Sequence, residues 1–220
     1  MKTLYHFPLC PFSRQIRVLL KEKDIAFTLI REDYWLRNKD LLLLNPAGEL
    51  PIFVEGEQKI CGVYPLVEYL CEEYSPLFMD FEAFEKAEVR RIIHWLNNKF
   101  YREVTKYVLD EKMIRLFINA GSPRSELLRN AKDNLGKHLK YFSKLIEEKD
   151  YIAANQLSVA DFVAAAHLSV LDFFDEISWD QNPPLKYWYS LIKSRPSFRP
   201  LLLDRIPGFN PPKHYQDLDF

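Results

Sequence analysis

Charge of one sign is the first thing this sequence lacks. Thirty basic residues nearly cancel thirty-one acidic ones and leave a formal charge of −1. No global field therefore favours nucleic acid or an anionic membrane, and neither is expected as a partner. Cysteine is scarce as well: Cys10, Cys61 and Cys71 form an odd set without zinc-type spacing, which fits reduced thiols in a reducing compartment. The five histidines are scattered along the chain, so no metal site is expected. Nor is there a long apolar run. Residues 1 to 7 lead straight into strand-like alternation rather than a signal peptide or a membrane span, which points to a cytoplasmic protein without direct membrane insertion.

What is present is the composition of a globular protein. With 48% hydrophobic and 28% charged residues, neither disorder nor a membrane class is indicated, and 220 residues suffice for one large domain or two small ones. Residues 2 to 7 alternate. Pro11 then opens an amphipathic run that turns Ile16, Leu19 and Leu20 inward, giving strand, turn and helix. A second strand follows over 25 to 30 and a short helical stretch over 35 to 44, and the turn Asn45-Pro46-Ala47-Gly48 leads into a strand over 50 to 54. The cluster Glu55-Gly56-Glu57-Gln58 turns the chain back for a strand over 59 to 61, and a helix over 65 to 74 closes the unit. This order allows a mixed sheet with helices on its faces, an α/β domain over residues 1–75.

Past Ser75-Pro76 the strand signals stop and long helical periods take over, so we place a linker over 76–86 and an all-α domain over 87–200. Val89, Ile92, Ile93, Leu96, Phe100, Val104 and Val108 mark the inward stripe of the first long helix. Ser122-Pro123 reads as the capped start of the next, with Leu128, Ala131, Leu135, Leu139, Phe142 and Leu145 facing in. The run from 162 to 174 is apolar almost all round, which places it at the centre of the helical domain. Ser158-Val159-Ala160-Asp161 ahead of it has the form of a capping box, and losing Ser158 or Asp161 is expected to cost on the order of 1 kcal/mol or somewhat more. A final helix runs from Leu185 to Arg195-Pro196.

These signals coincide with one family. Cys10-Pro11-Phe12-Ser13, Asn45-Pro46-Ala47-Gly48-Glu49-Leu50-Pro51, Leu157-Ser158-Val159-Ala160-Asp161 and Arg195-Pro196-Ser197-Phe198 stand in the order and setting seen in cytosolic glutathione transferases, which the chain resembles over residues 1 to about 200. The resemblance implies a thioredoxin-like N-terminal domain followed by a helical one, with Pro51 as the family's cis-proline. Cys10 falls where cysteine-type members carry their reactive residue. At a helix N-terminus a thiol pKa is lowered, so Cys10 reads either as a reactive thiol or as a partly buried, inert one. With Ser13 in place of a second thiol, only monothiol chemistry is available there.

The resemblance also implies a glutathione pocket formed by the Leu50 backbone, Pro51 and the start of the third helix, where the family places an acid and a serine. Here Gly62 and Val63 occupy those positions. A hydrogen bond to a charged group contributes about 1.5 to 3 kcal/mol, so without two of them glutathione binding through Leu50, Pro51 and Val63 is expected to be weak, and no cofactor is required.

Residues 201–220 form a tail rich in proline, aromatic and acidic residues. Its prolines exclude a regular helix, and Phe209, Tyr215, Leu218 and Phe220 are costly to leave in water. They dock either on the protein's own surface or on a partner. Together with Ala164-Ala165-Ala166-His167-Leu168 and Arg195-Pro196-Ser197-Phe198-Arg199-Pro200, the tail resembles the FzlA family of alphaproteobacteria, transferase-like division factors that bind FtsZ. That resemblance implies a homodimer acting in cell division without established transferase chemistry, with FtsZ as partner. On this reading the tail aromatics are the partner-binding residues, and removing residues 205 to 220 spares the fold. The alternative is a cysteine-type glutathione transferase or thiol transferase.

Overall fold

A computed structural model describes residues 1–74 and 78–218 of the chain. Two compact units form: Met1–Asp80 with Arg195–Asn210, and Phe81–Ser194 with the chain from Pro211 on. The expected boundary at Ser75-Pro76 lies outside the described residues. The expected tail is not one segment: its first half belongs to the first unit and its second half to the second.

In the first unit β1 (Lys2–His6) is followed by α1 (Pro11–Glu22), β2 (Thr28–Arg31), α2 (Lys39–Leu44), β3 (Ile52–Glu55), β4 (Gln58–Cys61) and α3 (Val63–Glu73). The sheet order is β2-β1-β3-β4. Tyr5 pairs in parallel with Ile30 on one side and antiparallel with Ile52 on the other, giving the mixed sheet read from the sequence. Pro11 starts α1 at a position where its missing N–H costs nothing, and Ile16, Leu19 and Leu20 are buried beneath it. The turn into β3 is held by Asn45, whose amide donates to the Glu49 carbonyl at 2.9 Å and whose Oδ1 accepts from the Ala47 N–H at 3.2 Å. Gly48 follows at φ +68°, a left-handed conformation that glycine adopts without the strain a side chain would bring.

The segment 195–210 is tied to α1 by charge. Asp204 receives both terminal nitrogens of Arg17 at 2.8 and 2.9 Å and one of Arg14 at 3.3 Å. Arg195 grips Glu22 through two bonds of 2.7 Å, and the Ser197 hydroxyl donates to the same carboxylate. Within this segment lies the short helix Arg199–Leu202, which buries Leu201 and Leu202.

The second unit is helical. From Ala83 to Phe117 the chain follows one continuous helical path: α4 (Ala83–His94), a wider π-type winding over Trp95–Thr105, α5 (Lys106–Leu109), a second wide turn over Asp110–Ile114, and α6 (Arg115–Phe117). The inward stripe from Val89 to Val108 is buried as expected. Its later members, Leu96, Phe100, Val104 and Val108, repeat every four residues. That spacing drifts by about 40° per step on a 3.6-residue winding, and a wider winding brings the side chains back toward one line.

Next, α7 (Ser125–Glu148) starts three residues after the expected Ser122 cap. The reason is a distant acceptor: the buried Glu111 carboxylate takes the Arg124 N–H at 2.8 Å and its Nε at 3.0 Å, serving as a cap from another helix. Every residue of α8 (Val159–Phe173) is buried, and α9 (Pro183–Lys193) packs beside it.

The capping box at Ser158 forms, with the Ser158 N–H and hydroxyl 2.9 and 2.8 Å from Asp161 Oδ2. Asp161 does more than cap. Its Oδ1 also accepts from the Ile152 N–H at 3.0 Å and from the Trp188 indole at 2.9 Å. Opposite these caps, His167 is fully buried and burial lowers its pKa to about 3, so the ring is neutral. It then donates from Nε2 to the Asn97 carbonyl at 3.0 Å and accepts at Nδ1 from the Thr105 hydroxyl at 3.3 Å.

Two outcomes follow for stability. Asp161→Ala leaves buried Ile152 and Trp188 donors without an acceptor, each at about 1 to 3 kcal/mol. Chemical denaturation should therefore show a loss well above the roughly 1 kcal/mol of a simple cap, with Ser158→Ala near that smaller figure. Equal losses for the two variants would refute this reading. The tail expectation is corrected likewise: Ile206 is 2% exposed and Tyr215 is 0% exposed, its ring edge-on to Phe173 at 5.4 Å. Removing residues 205 to 220 should cost about 3 kcal/mol or more and lower Tm by roughly 6 °C or more in a thermal melt.

Candidate functional site

The antiparallel pairing of β1 with β3 brings the end of one beside the start of the other, so Cys10 and Pro51 leave the sheet at the same end. The Leu50–Pro51 peptide bond is cis. The Pro51 carbonyl accepts the Gly62 N–H at 3.1 Å, which sets the start of α3 against the cis-proline turn. Leu50, Pro51, Gly62 and Val63 are thereby assembled in one place, as the sequence implies.

The chemistry of that place is apolar. Val63 is buried, Leu50 is buried, and the first turn of α3 carries no acidic residue. Gly62 adopts φ +89°, a conformation that strains any residue with a side chain. A serine or aspartate at 62 therefore could not simply restore a polar contact. These residues do not fit the charged amino-acid end of glutathione, since an ammonium placed at the start of α3 meets no carboxylate from the helix's first turn.

Cys10 is the N-cap of α1. Its N–H donates to the Phe7 carbonyl and its own carbonyl accepts from the Arg14 N–H, both at 3.0 Å. The residue is 5% exposed. Burial pushes its pKa above the ordinary value; bonds from Ser13 and Phe12 and the charge of Arg14 pull the other way and do not prevail. Of the two readings of Cys10 left open by its position, the geometry thus favours the inert one, because desolvation of a thiolate outweighs the helix N-terminus.

The tail candidates separate. Tyr215 belongs to the core of the helical unit and is not presented to a partner, a correction with a plain cause: the ring finds an apolar site on Phe173 inside its own unit. Phe209 and Leu218 are half-buried, and Phe220 lies outside the described residues. Ser158 and Asp161 are structural, as expected. Arg14, Arg17 and Asp204 around α1, and Asp172, Lys193 and His214 in the helical unit, are polar clusters that sequence reading missed. The available signals were charged residues inside otherwise apolar stripes: Arg14 and Arg17 on the buried face of α1, Asp172 at the end of an apolar helix, and Lys193 on the inward face of α9.

Among the described residues no group of His, Cys, Asp and Glu is arranged to hold a metal ion, and no helix is long and apolar enough to cross a membrane.

Family models for the glutathione S-transferase N-terminal and C-terminal domains match residues 4–78 and 109–201. The chain is similar to FtsZ-localized protein A of Caulobacter vibrioides, at 41% identity over 100% of this chain and 98% of the relative. The solved structure of FzlA from C. crescentus superposes with a TM-score of 0.96 at 41% identity, covering 100% of this chain and 99% of that one. A protein from Rhodospirillum rubrum F11 described as a glutathione S-transferase superposes equally well, with a TM-score of 0.96 at 42% identity and complete coverage of both chains.

Thiol labelling tests the electrostatics of Cys10. With iodoacetamide at neutral pH, Cys61 and Cys71, both half-buried and nearer solvent, should react before Cys10. Peptide mapping that finds Cys10 alkylated first would reverse the assignment of an inert thiol.

Proposed function

The chain belongs to the glutathione S-transferase family, and from that premise we propose that it is a noncatalytic member that binds FtsZ and acts in cell division. The observation that carries this reading is similarity to FtsZ-localized protein A over 100% of this chain, tail included, and 98% of the relative. The site supports it. The family's fold is kept around the cis-proline, while the first turn of α3 carries no acid to hold an amino-acid ammonium and has Gly62 and Val63 where the resemblance places the acid and serine, and the Cys10 thiol is shifted away from ionisation.

As part of the proposal, the protein works in the cytoplasm as a homodimer, requires no cofactor, and binds glutathione weakly. The partner surface includes the half-buried Phe209 and Leu218, with Phe220 as a further candidate; Tyr215 is withdrawn from that set. A second reading, a cysteine-type glutathione transferase or thiol transferase, is favoured by the retained Cys10 and by likeness to the R. rubrum protein.

Two measurements separate these readings. The protein should pellet with polymerised FtsZ from its own cell, and calorimetry should find glutathione binding no tighter than about 1 mM, near −4 kcal/mol. Micromolar glutathione affinity together with no co-sedimentation would put the transferase reading first.

A further inference from the structure

Asp172, near the C-terminal end of α8, is fully buried. Its Oδ1 accepts from the Trp179 indole at 2.8 Å and from His214 Nε2 at 3.0 Å, its Oδ2 accepts from the Tyr189 hydroxyl at 3.3 Å, and the Lys193 ammonium stands 3.7 Å away. Lys193 Nζ also donates to the backbone carbonyl of His214 at 2.7 Å. Trp179, Tyr189 and Lys193 follow α8 directly in the chain and are themselves buried. His214 differs from them. It arrives from the C-terminal segment, its side chain is 31% exposed, and it borders a cleft of about 730 Å³ whose lining includes Trp179 and the Asp180–Lys186 ion pair. One donor of a buried carboxylate is thus within reach of solvent protons.

We propose that residues 211 to 217 form a proton-controlled strap, which tightens on Asp172 when His214 is a cation and loosens when His214 is neutral. The groups that face the imidazole set the sign. Asp172 lies at 3.0 Å and Asp175, just past α8, at 3.9 Å; Lys193 opposes them from α9, and Lys213 and Asp217 flank His214 on its own segment. The bond to Asp172 is the largest influence and raises the His214 pKa above its ordinary 6.5, against the opposing effect of burial.

A raised folded-state pKa means that the gain from closing the strap is fully present below the free-histidine range and is lost as pH rises through the raised value. Lys193 acts in the opposite sense. Burial, partly offset by Asp172, lowers its pKa to about 8, so covering it costs most while it is charged, and that cost fades above this pH. The two titrations together leave the strap loosest in the interval between the His214 transition and about pH 8. Throughout, Tyr215 stays packed on Phe173 as an anchor, so loosening does not unfold the unit. Any partner that grips this segment therefore competes with a lock whose strength depends on protons.

Hydrogen exchange on the full chain, corrected for the intrinsic pH dependence of exchange, tests the strap at about pH 7.5 and about pH 6. Protection of peptides covering 211 to 217 should rise several-fold on acidification, while peptides from β1 and β3 stay unchanged. His214→Gln keeps a neutral donor and should fold normally, but should abolish the rise. Protection that is flat or falls with acid in the natural protein, or a rise that survives undiminished in H214Q, would overturn the proposal.

Discussion

The helical unit depends on satisfying two carboxylates carried by a helix with no exposed face. A carboxyl group inside a protein is tolerated only when hydrogen-bond partners surround it, and breaking up such a set costs far more than the set contributes. Asp161 at the start of α8 collects the Ile152 and Ser158 amides, the Ser158 hydroxyl and the Trp188 indole. Asp172 near its end collects Trp179, Tyr189, His214 and Lys193. Between them these two side chains determine where the loop before α8, helix α9, the Trp179 turn and the end of the chain must lie. The neutral His167 midway, satisfied by Asn97 and Thr105, ties the long helical path from Ala83 into the same arrangement.

The first unit uses charge in the same manner around α1. Burial alone would raise the Glu22 carboxyl, but the bonds from Arg195 and Ser197 outweigh it and hold the group below its usual range. Arg14 and Arg17 converge on Asp204, with Arg14 also donating to the Pro8 carbonyl at 2.7 Å. The helix that carries Cys10 is therefore positioned by residues almost two hundred positions later in the chain. Its cations are engaged with Asp204, and the small pull of Arg14 on the thiol does not overcome burial. The Cys10 thiol at the start of this helix is closed in by the same packing.

The cis-proline turn joins the sheet to the start of α3. The cis Leu50–Pro51 bond and the Gly62 bond to the Pro51 carbonyl keep the shape of the turn, because the sheet and α3 need it whether or not a ligand binds. At the start of α3 the first turn carries no acidic residue, and Val63 there is buried. At the other end of the chain, His214 and Tyr215 join the helical unit.

The sequence by itself determined whatever depends on neighbours along the chain. The strand and helix order of the first unit, the stripe from Val89 to Val108, the Ser158 cap, the cis-proline turn and the missing groups at Gly62 and Val63 were all legible, because periodicity, capping and turn chemistry act over a few residues. The start of α7 was misplaced because its cap, Glu111, comes from another helix. The direction of the Cys10 shift was undetermined because a helix N-terminus is local but burial is not. Tyr215 was misplaced because prolines exclude a helix without saying where an aromatic ring will pack. Only the tertiary structure decided that Tyr215 is core, that Asp204 anchors α1, and that Asp172, Lys193 and His214 share one buried site, since each of these facts rests on desolvation and on partners distant in sequence.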